Sequence, residues 1–146
     1  MSEDADSKQA QRETPRPRVM LVEDEFVVSL ALKMQLEAVG CEVVGTADNA
    51  DSAIEMACDL RPDVILMDIG LPGKNGVCAT REIMARAPTR IVMVTAYGDE
   101  RLQQALDAGA LLALVKPVLE HQLKQAIMKV SAKPAPESAS GETSEA

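Results

Sequence analysis

The sequence predicts an α/β fold, with five strand-helix repeats whose strands lie parallel in one open, doubly wound sheet. Two observations predict it. Five short apolar runs recur along the chain, and a segment of helical period follows each of them. Four of the five runs are apolar almost throughout, as strands covered by helices on both faces are. Five repeats are too few to close an eight-fold barrel, so an open sheet with right-handed crossovers is the economical arrangement.

The first run is "VMLV", residues 19 to 22. Residues 25 to 39 follow, with Val27, Leu30, Met34 and Ala38 spaced as one helical stripe expected to face the core. Gly40 stands where a helix C-terminal glycine is expected. The second run, "VVG" after Glu42, is shorter and is expected at a sheet edge. The next helix carries Ala50, Ala53, Ile54 and Ala57 on its stripe. The third run is "VILM" (64 to 67), followed by a helix at about 75 to 87. The fourth is "IVMV" (91 to 94), followed by a helix at about 99 to 108 that Gly109 ends. After "LLALV" (111 to 115), the last helix spans 118 to 130, with Leu119, Leu123, Ala126, Ile127 and Val130 on one stripe.

A chain of 146 residues suits one domain. The ends, residues 1–17 and 131–146, are polar and rich in Ser, Glu, Ala and Pro; too little apolar surface repays the entropy of ordering, so both are expected to be disordered tails around a domain at 18–130. No basic segment precedes an apolar stretch at the start, and no apolar run nears the roughly 20 residues of a membrane span. A cytoplasmic protein is expected. Cys41, Cys58 and Cys78 are odd in number and lack CxxC spacing, which argues against a disulfide framework or a zinc site and for buried small apolar residues. A formal charge of -8 with scattered Lys and Arg opposes direct nucleic-acid or acidic-membrane binding.

In an open doubly wound sheet the functional site lies beyond the carboxyl ends of the strands. Glu23 and Asp24 follow the first run, Asp68 the third, Thr95 the fourth and Lys116 the fifth. Three carboxylates on one rim repel one another unless a cation joins them. With no His or Cys beside them the ion is hard, and a partial oxygen set that leaves room for water and phosphate favours Mg²⁺ over calcium. A hydroxyl and a lysine added to carboxylates and Mg²⁺ meet the needs of phosphoryl transfer, and a carboxylate nucleophile gives an acyl phosphate. Asp68 is the candidate nucleophile. Taken singly, Asp68 reads as a turn cap before Pro72 and Gly73, Thr95 as a β-branched strand residue and Lys116 as a surface cation; their joint position argues otherwise. The single His121 reads as a solvent-facing side chain.

The pieces "LVEDE", "DVILMDIGLPGKNG", "VTAY" and "LVKP", in this order and spacing, resemble a two-component response-regulator receiver domain over residues 18 to 130. The flow of "GCEVVGTADNADSAIEMACDLRPDVILMDIGLPGKNG" and "DAGALLALVKP" is also similar to receivers that carry a C-terminal RNA-binding ANTAR bundle, although no such bundle follows in this sequence. The resemblance implies a flavodoxin-like strand order 2-1-3-4-5. It makes Asp68 the phosphoacceptor (a 4-aspartylphosphate when loaded), and Asp24 and Asp68 direct Mg²⁺ ligands, joined by the backbone carbonyl of Gly70, with Glu23 acting through bound water. Lys116 would pair with one phosphoryl oxygen, Thr95 would turn in to another, and Lys116-Pro117 would be a cis peptide. The implied partners are a sensor histidine kinase or histidine phosphotransfer protein upstream and another protein downstream, reached from a stand-alone receiver that is a monomer or a phosphorylation-dependent dimer. No catalysis is implied beyond self-catalysed phosphotransfer and slow autodephosphorylation.

Three departures shape the expectations. Ala113 stands three residues before Lys116, where receivers often carry an aromatic relay. Gly70 offers no side chain to orient an attacking water and Tyr97 is expected to cover the site partly, so slow loss of the phosphoryl group is expected. Apolar surface around the fourth helix, fifth strand and fifth helix is the expected docking face. Two other classes fit less well. A haloacid-dehalogenase-type Mg²⁺-dependent hydrolase needs a second Asp two positions after the nucleophile, where Gly70 stands, and a flavodoxin-like cofactor binder needs a glycine-rich phosphate loop where "VEDEF" would repel phosphate. The intact constellation also opposes a docking receiver that is never phosphorylated.

Overall fold

A computed structural model of the protein describes residues 16–137. Ten elements alternate along it: β1 (Arg18–Val22), α1 (Phe26–Ala38), β2 (Glu42–Ala47), α2 (Ala50–Leu60), β3 (Val64–Asp68), α3 (Gly76–Arg86), β4 (Arg90–Thr95), α4 (Leu102–Asp107), β5 (Leu112–Val115) and α5 (Glu120–Ser131). All strands pair in parallel in one sheet of order β2-β1-β3-β4-β5, as expected. β3 lies at the centre and all five of its residues are buried, which is why "VILM" shows no polar alternation.

Helices cover both faces of the sheet. Leu32 and Leu36 of α1 and Leu123, Ile127 and Val130 of α5 pack on Val19, Leu21, Leu66, Val92 and Val94. On the other face, the stripe Ala53, Ile54 and Ala57 of α2, with Ile83 of α3 and Ala105 of α4, packs on Met20, Ile65, Met67, Ile91 and Met93. Alternate residues of each strand serve opposite layers. Among the described residues no helix is long and apolar enough to cross a membrane.

Packing corrects several expectations. The stripe Val27, Leu30, Met34 and Ala38 does not face the core; all four are exposed, and α1 buries Leu32 and Leu36 instead. This helix carries apolar residues on two nearly opposite sides, and periodicity has no means of choosing between them. Leu119 likewise stands exposed at the N-cap of α5, while the remainder of its stripe is buried. β2 is at the edge, but runs six residues to Ala47. Cys41 is buried, whereas Cys58 and Cys78 are half-buried; all three are free. Residues 1–15 and 138–146 of the expected tails lie outside the described residues; within the C-terminal stretch, Ser131 still belongs to α5 and the Lys133 carbonyl accepts hydrogen bonds from Arg90 Nε (3.0 Å) and Nη2 (2.7 Å).

Local signals set the helix starts. The Asn49 side chain accepts from the Ser52 N–H at 2.8 Å, and the Asn75 side chain accepts from the N–H groups of Val77 (2.9 Å) and Cys78 (3.1 Å). Asn75→Ala is expected to lower stability by about 1 kcal/mol, read by urea unfolding, because two first-turn donors lose their acceptor. Gly40 and Gly109 adopt φ of 96° and 124°, the left-handed conformation that ends helices.

Candidate functional site

Parallel pairing brings the carboxyl ends of β1, β3, β4 and β5 to one rim, and single hydrogen bonds continue the ladder just past them. The Glu23 N–H donates to the Ala47 carbonyl (3.0 Å), Ile69 to Val94 (3.0 Å) and Lys116 to Thr95 (2.9 Å). The first residue beyond each strand is thereby held almost as firmly as the strand, so the polar side chains there are positioned by the sheet.

One carboxylate oxygen from each of Glu23, Asp24 and Asp68 lies within 4.8 Å of the other two. Glu23 is 2% exposed and Asp68 6%, while Asp24 faces solvent. Lys116 Nζ stands 3.1 Å from Glu23 Oε1 and 3.4 Å from Asp68 Oδ2. The remaining oxygens face the backbone, Glu23 Oε2 accepting from the Glu25 N–H (3.2 Å) and Asp68 Oδ1 from the Gly70 N–H (3.0 Å). The contact of Lys116 with Glu23 Oε1 is an ion pair outside hydrogen-bonding alignment, so this buried oxygen has no hydrogen-bond donor among the described residues.

Burial pushes the Glu23 carboxyl above its ordinary pKa; the Glu25 N–H and Lys116 pull the other way, and the charge of Asp68 adds to the rise. Burial pulls Lys116 down, but its close contact with Glu23 and the charges of Asp68 and Glu23 outweigh that and leave it above its ordinary value. One ammonium therefore pairs with two of the three carboxylates. An unsatisfied buried oxygen beside two further carboxylates, with no imidazole or thiolate, suits a hard divalent cation.

The other expected residues are also at this rim. Thr95 is buried and its hydroxyl donates to the Ala96 carbonyl (3.1 Å), away from Asp68. Lys116-Pro117 is a cis peptide. Gly70 is exposed beside Asp68, and His121 faces solvent. Ala113 pairs with Met93 and is half-buried against the core, so no ring occupies that place. Tyr97 does not cover the site: its side chain is 92% exposed and points into solvent, so slow dephosphorylation gains no support from it.

Two residues of the rim escaped the sequence reading. Gly76, the first residue of α3, passes so close beneath Asp68 that a Cβ there would fall on the Asp68 carbonyl oxygen; the helical reading of 75 to 87 carried no sign of that approach. Arg101, in the loop before α4, grips Asp99 through Nε–Oδ1 (3.0 Å) and Nη2–Oδ2 (2.8 Å) and approaches Gly70. The Asp-x-Arg spacing was the only signal for it.

Comparison with known proteins agrees with this arrangement. The response regulator receiver domain family matches residues 19–128. The transcriptional regulatory protein PdtaR of Mycobacterium tuberculosis is 38% identical over 101 residues, covering 68% of this chain and 49% of that protein, so the chain spans about half the length of this relative. The chemotaxis protein CheY of Thermotoga maritima is 36% identical over 116 residues, covering 78% of this chain and 97% of that one. The solved receiver domain of sensor histidine kinase PA1611 from Pseudomonas aeruginosa PAO1, which has a magnesium ion coordinated in its active site cleft, superimposes with a TM-score of 0.75 at 28% identity, covering 82% of this chain and 100% of that one. With the family matched over both layers of helices and all five strands, the chain belongs to the response regulator receiver domain family.

Proposed function

We propose that Asp68 accepts a phosphoryl group from a histidine kinase or histidine phosphotransfer protein, and that the loaded domain signals through protein contacts. The observation that carries this reading is a buried Asp68 at the end of the central strand, grouped with two further carboxylates and 3.4 Å from Lys116. One Asp68 oxygen attacks phosphorus as the phosphorus–nitrogen bond of phosphohistidine breaks; the electron pair stays on the imidazole nitrogen, which takes a proton from water, and the carboxylate becomes an acyl phosphate.

Asp24, Asp68 and the Gly70 carbonyl are the proposed Mg²⁺ ligands, with Glu23 acting through bound water. When bound, Mg²⁺ supplies positive charge against the oxygens of the transferring group. Lys116 is free to shift from Asp68 to a phosphoryl oxygen, and Thr95 needs only a rotation about χ1 to exchange the Ala96 carbonyl for another. No other substrate is turned over in this reading.

The surface supports a protein donor. The chain has one Phe, one Tyr and no Trp. Neither aromatic is in the core: Phe26 is 78% exposed, and with Val27, Leu30 and Met34 it makes α1 an apolar face beside the acidic rim. This face is richer in large apolar side chains than the scattered Leu111, Val115 and Leu119 of the region around β5, and is the proposed docking face for the donor.

The test is incubation with phosphoramidate and Mg²⁺ followed by intact mass and peptide mapping. A single phosphate adduct is expected, absent in Asp68→Asn. An adduct that persists in Asp68→Asn, or none on the wild-type chain, would overturn the reading.

A further inference from the structure

We propose that Arg101 is a second cation for the phosphoryl group on Asp68, released from Asp99 when that group arrives; the proposal rests on Asp68 being the phosphoacceptor. Three observations carry it. A Cβ placed on Gly70 would stand 3.6 Å from Asp68 Oδ1 and 3.8 Å from Arg101 Nη2, so the guanidinium and the carboxylate both border the space beside Gly70.

Next, Arg101 is held by a partner it can leave. Its side chain is 39% exposed, and among the described residues Asp99 alone binds it, through Nε and Nη2. Asp99 would keep a donor afterwards, because its Oδ1 also accepts the backbone N–H of Arg101 at 2.9 Å. A phosphoryl group offers about two negative charges and three acceptor oxygens against the single charge of Asp99, and a guanidinium fork matches phosphate in two-point geometry. The field of Asp68 already reaches the group, adding to the hydrogen bond and charge of Asp99 in holding Arg101 above its ordinary pKa.

Finally, the rim is short of cations. Lys116 is shared between Glu23 and Asp68 before any phosphate arrives. Arg101 supplies the missing charge out of the loop between β4 and α4. Its transfer ties phosphorylation to the position of that loop, and gives the signal a route that does not need the ring missing at Ala113.

The test uses beryllium fluoride as the phosphoryl mimic, bound to the full chain in saturating Mg²⁺, with Arg101→Gln and Asp99→Asn beside the wild type. Arg101→Gln is expected to weaken beryllium fluoride binding roughly tenfold, the size of one charge-assisted hydrogen bond, while Mg²⁺ affinity and thermal midpoint stay unchanged. Asp99→Asn is expected to strengthen it, because Arg101 no longer has a competing carboxylate. Opposite signs in the two variants support the proposal; a purely structural ion pair would weaken binding in both. Equal weakening in both variants, or an Arg101→Gln affinity equal to wild type, overturns it. A wild-type chain that binds Mg²⁺ but no beryllium fluoride removes the phosphoacceptor reading itself.

Discussion

Gly76→Ala is expected to destabilise the domain by about 3 kcal/mol and to abolish most phosphoryl uptake, the top of the usual range for overpacking. The reason is local and severe. A methyl group at Gly76 would occupy the place of the Asp68 carbonyl oxygen and stand 2.9 Å from Ile69 Cα. Both obstacles are backbone, at the end of the central strand and the residue just past it, where packing density leaves no slack and no side chain can swing aside. The turn joining β3 to α3 must therefore shift, and Asp68 moves with it. Urea unfolding gives the stability and mass spectrometry after phosphoramidate gives the uptake. Gly73→Ala is the control: Gly73 adopts φ of 71° with open space around it, so only conformational strain is added, about 1 kcal/mol. If the Gly76 variant loses no more than the Gly73 variant, the close approach is not limiting.

Glu23→Gln is expected to stabilise the metal-free protein at neutral pH by roughly 1 kcal/mol and to remove most of the stabilisation by Mg²⁺. Glu23 is a buried carboxylate whose Oε1 lacks a hydrogen-bond donor among the described residues, beside two more carboxylates. Its charge is costly until a cation arrives. Because its folded pKa is raised, the folded state binds more protons than the unfolded one between the ordinary carboxyl value and the raised one. The contribution of this group to stability therefore falls as pH climbs through that interval and is level above it. Lys116, also raised, contributes stability that is complete below its ordinary pKa and is lost only as alkaline pH passes its folded value, so it does not blur the acid limb. In EDTA, the stability of wild type minus Glu23→Gln should decline from acid to neutral pH. At Mg²⁺ a hundredfold above its dissociation constant, the wild type should gain about 2.7 kcal/mol and the variant much less. A flat pH difference together with an equal Mg²⁺ response in both proteins would show that Glu23 is neither strained nor part of the metal site.

Much of the architecture was legible because burial on both faces leaves a direct record in sequence. "VMLV", "VILM" and "IVMV" have no polar alternation since helices cover both sides of β1, β3 and β4, and Gly40 and Gly109 mark helix ends by backbone conformation. The rim was legible for a related reason. In a parallel sheet all strands end on the same side, so Glu23, Asp24, Asp68, Thr95 and Lys116 had to converge once the strands were placed. What composition and spacing do not carry is the choice between near-equal packings. In α1 both apolar stripes have helical period, and only the fit against Val19, Leu21 and α5 decides that Leu32 and Leu36 go inside while Val27, Leu30 and Met34 are left as a surface.

Side-chain direction was equally out of reach. Tyr97, expected to cover the site partly, points into water; Arg101, one of the scattered cations, borders the space beside Gly70 together with Asp68. By itself, then, the sequence determined five parallel strands, the rim and the polar groups that meet there, because periodicity and strand ends are properties of the chain alone. Only the tertiary structure decided which helix face stays exposed, which buried oxygen is without a donor among the described residues and which further cation comes near Gly70 and Asp68, because those depend on distances between segments far apart in sequence.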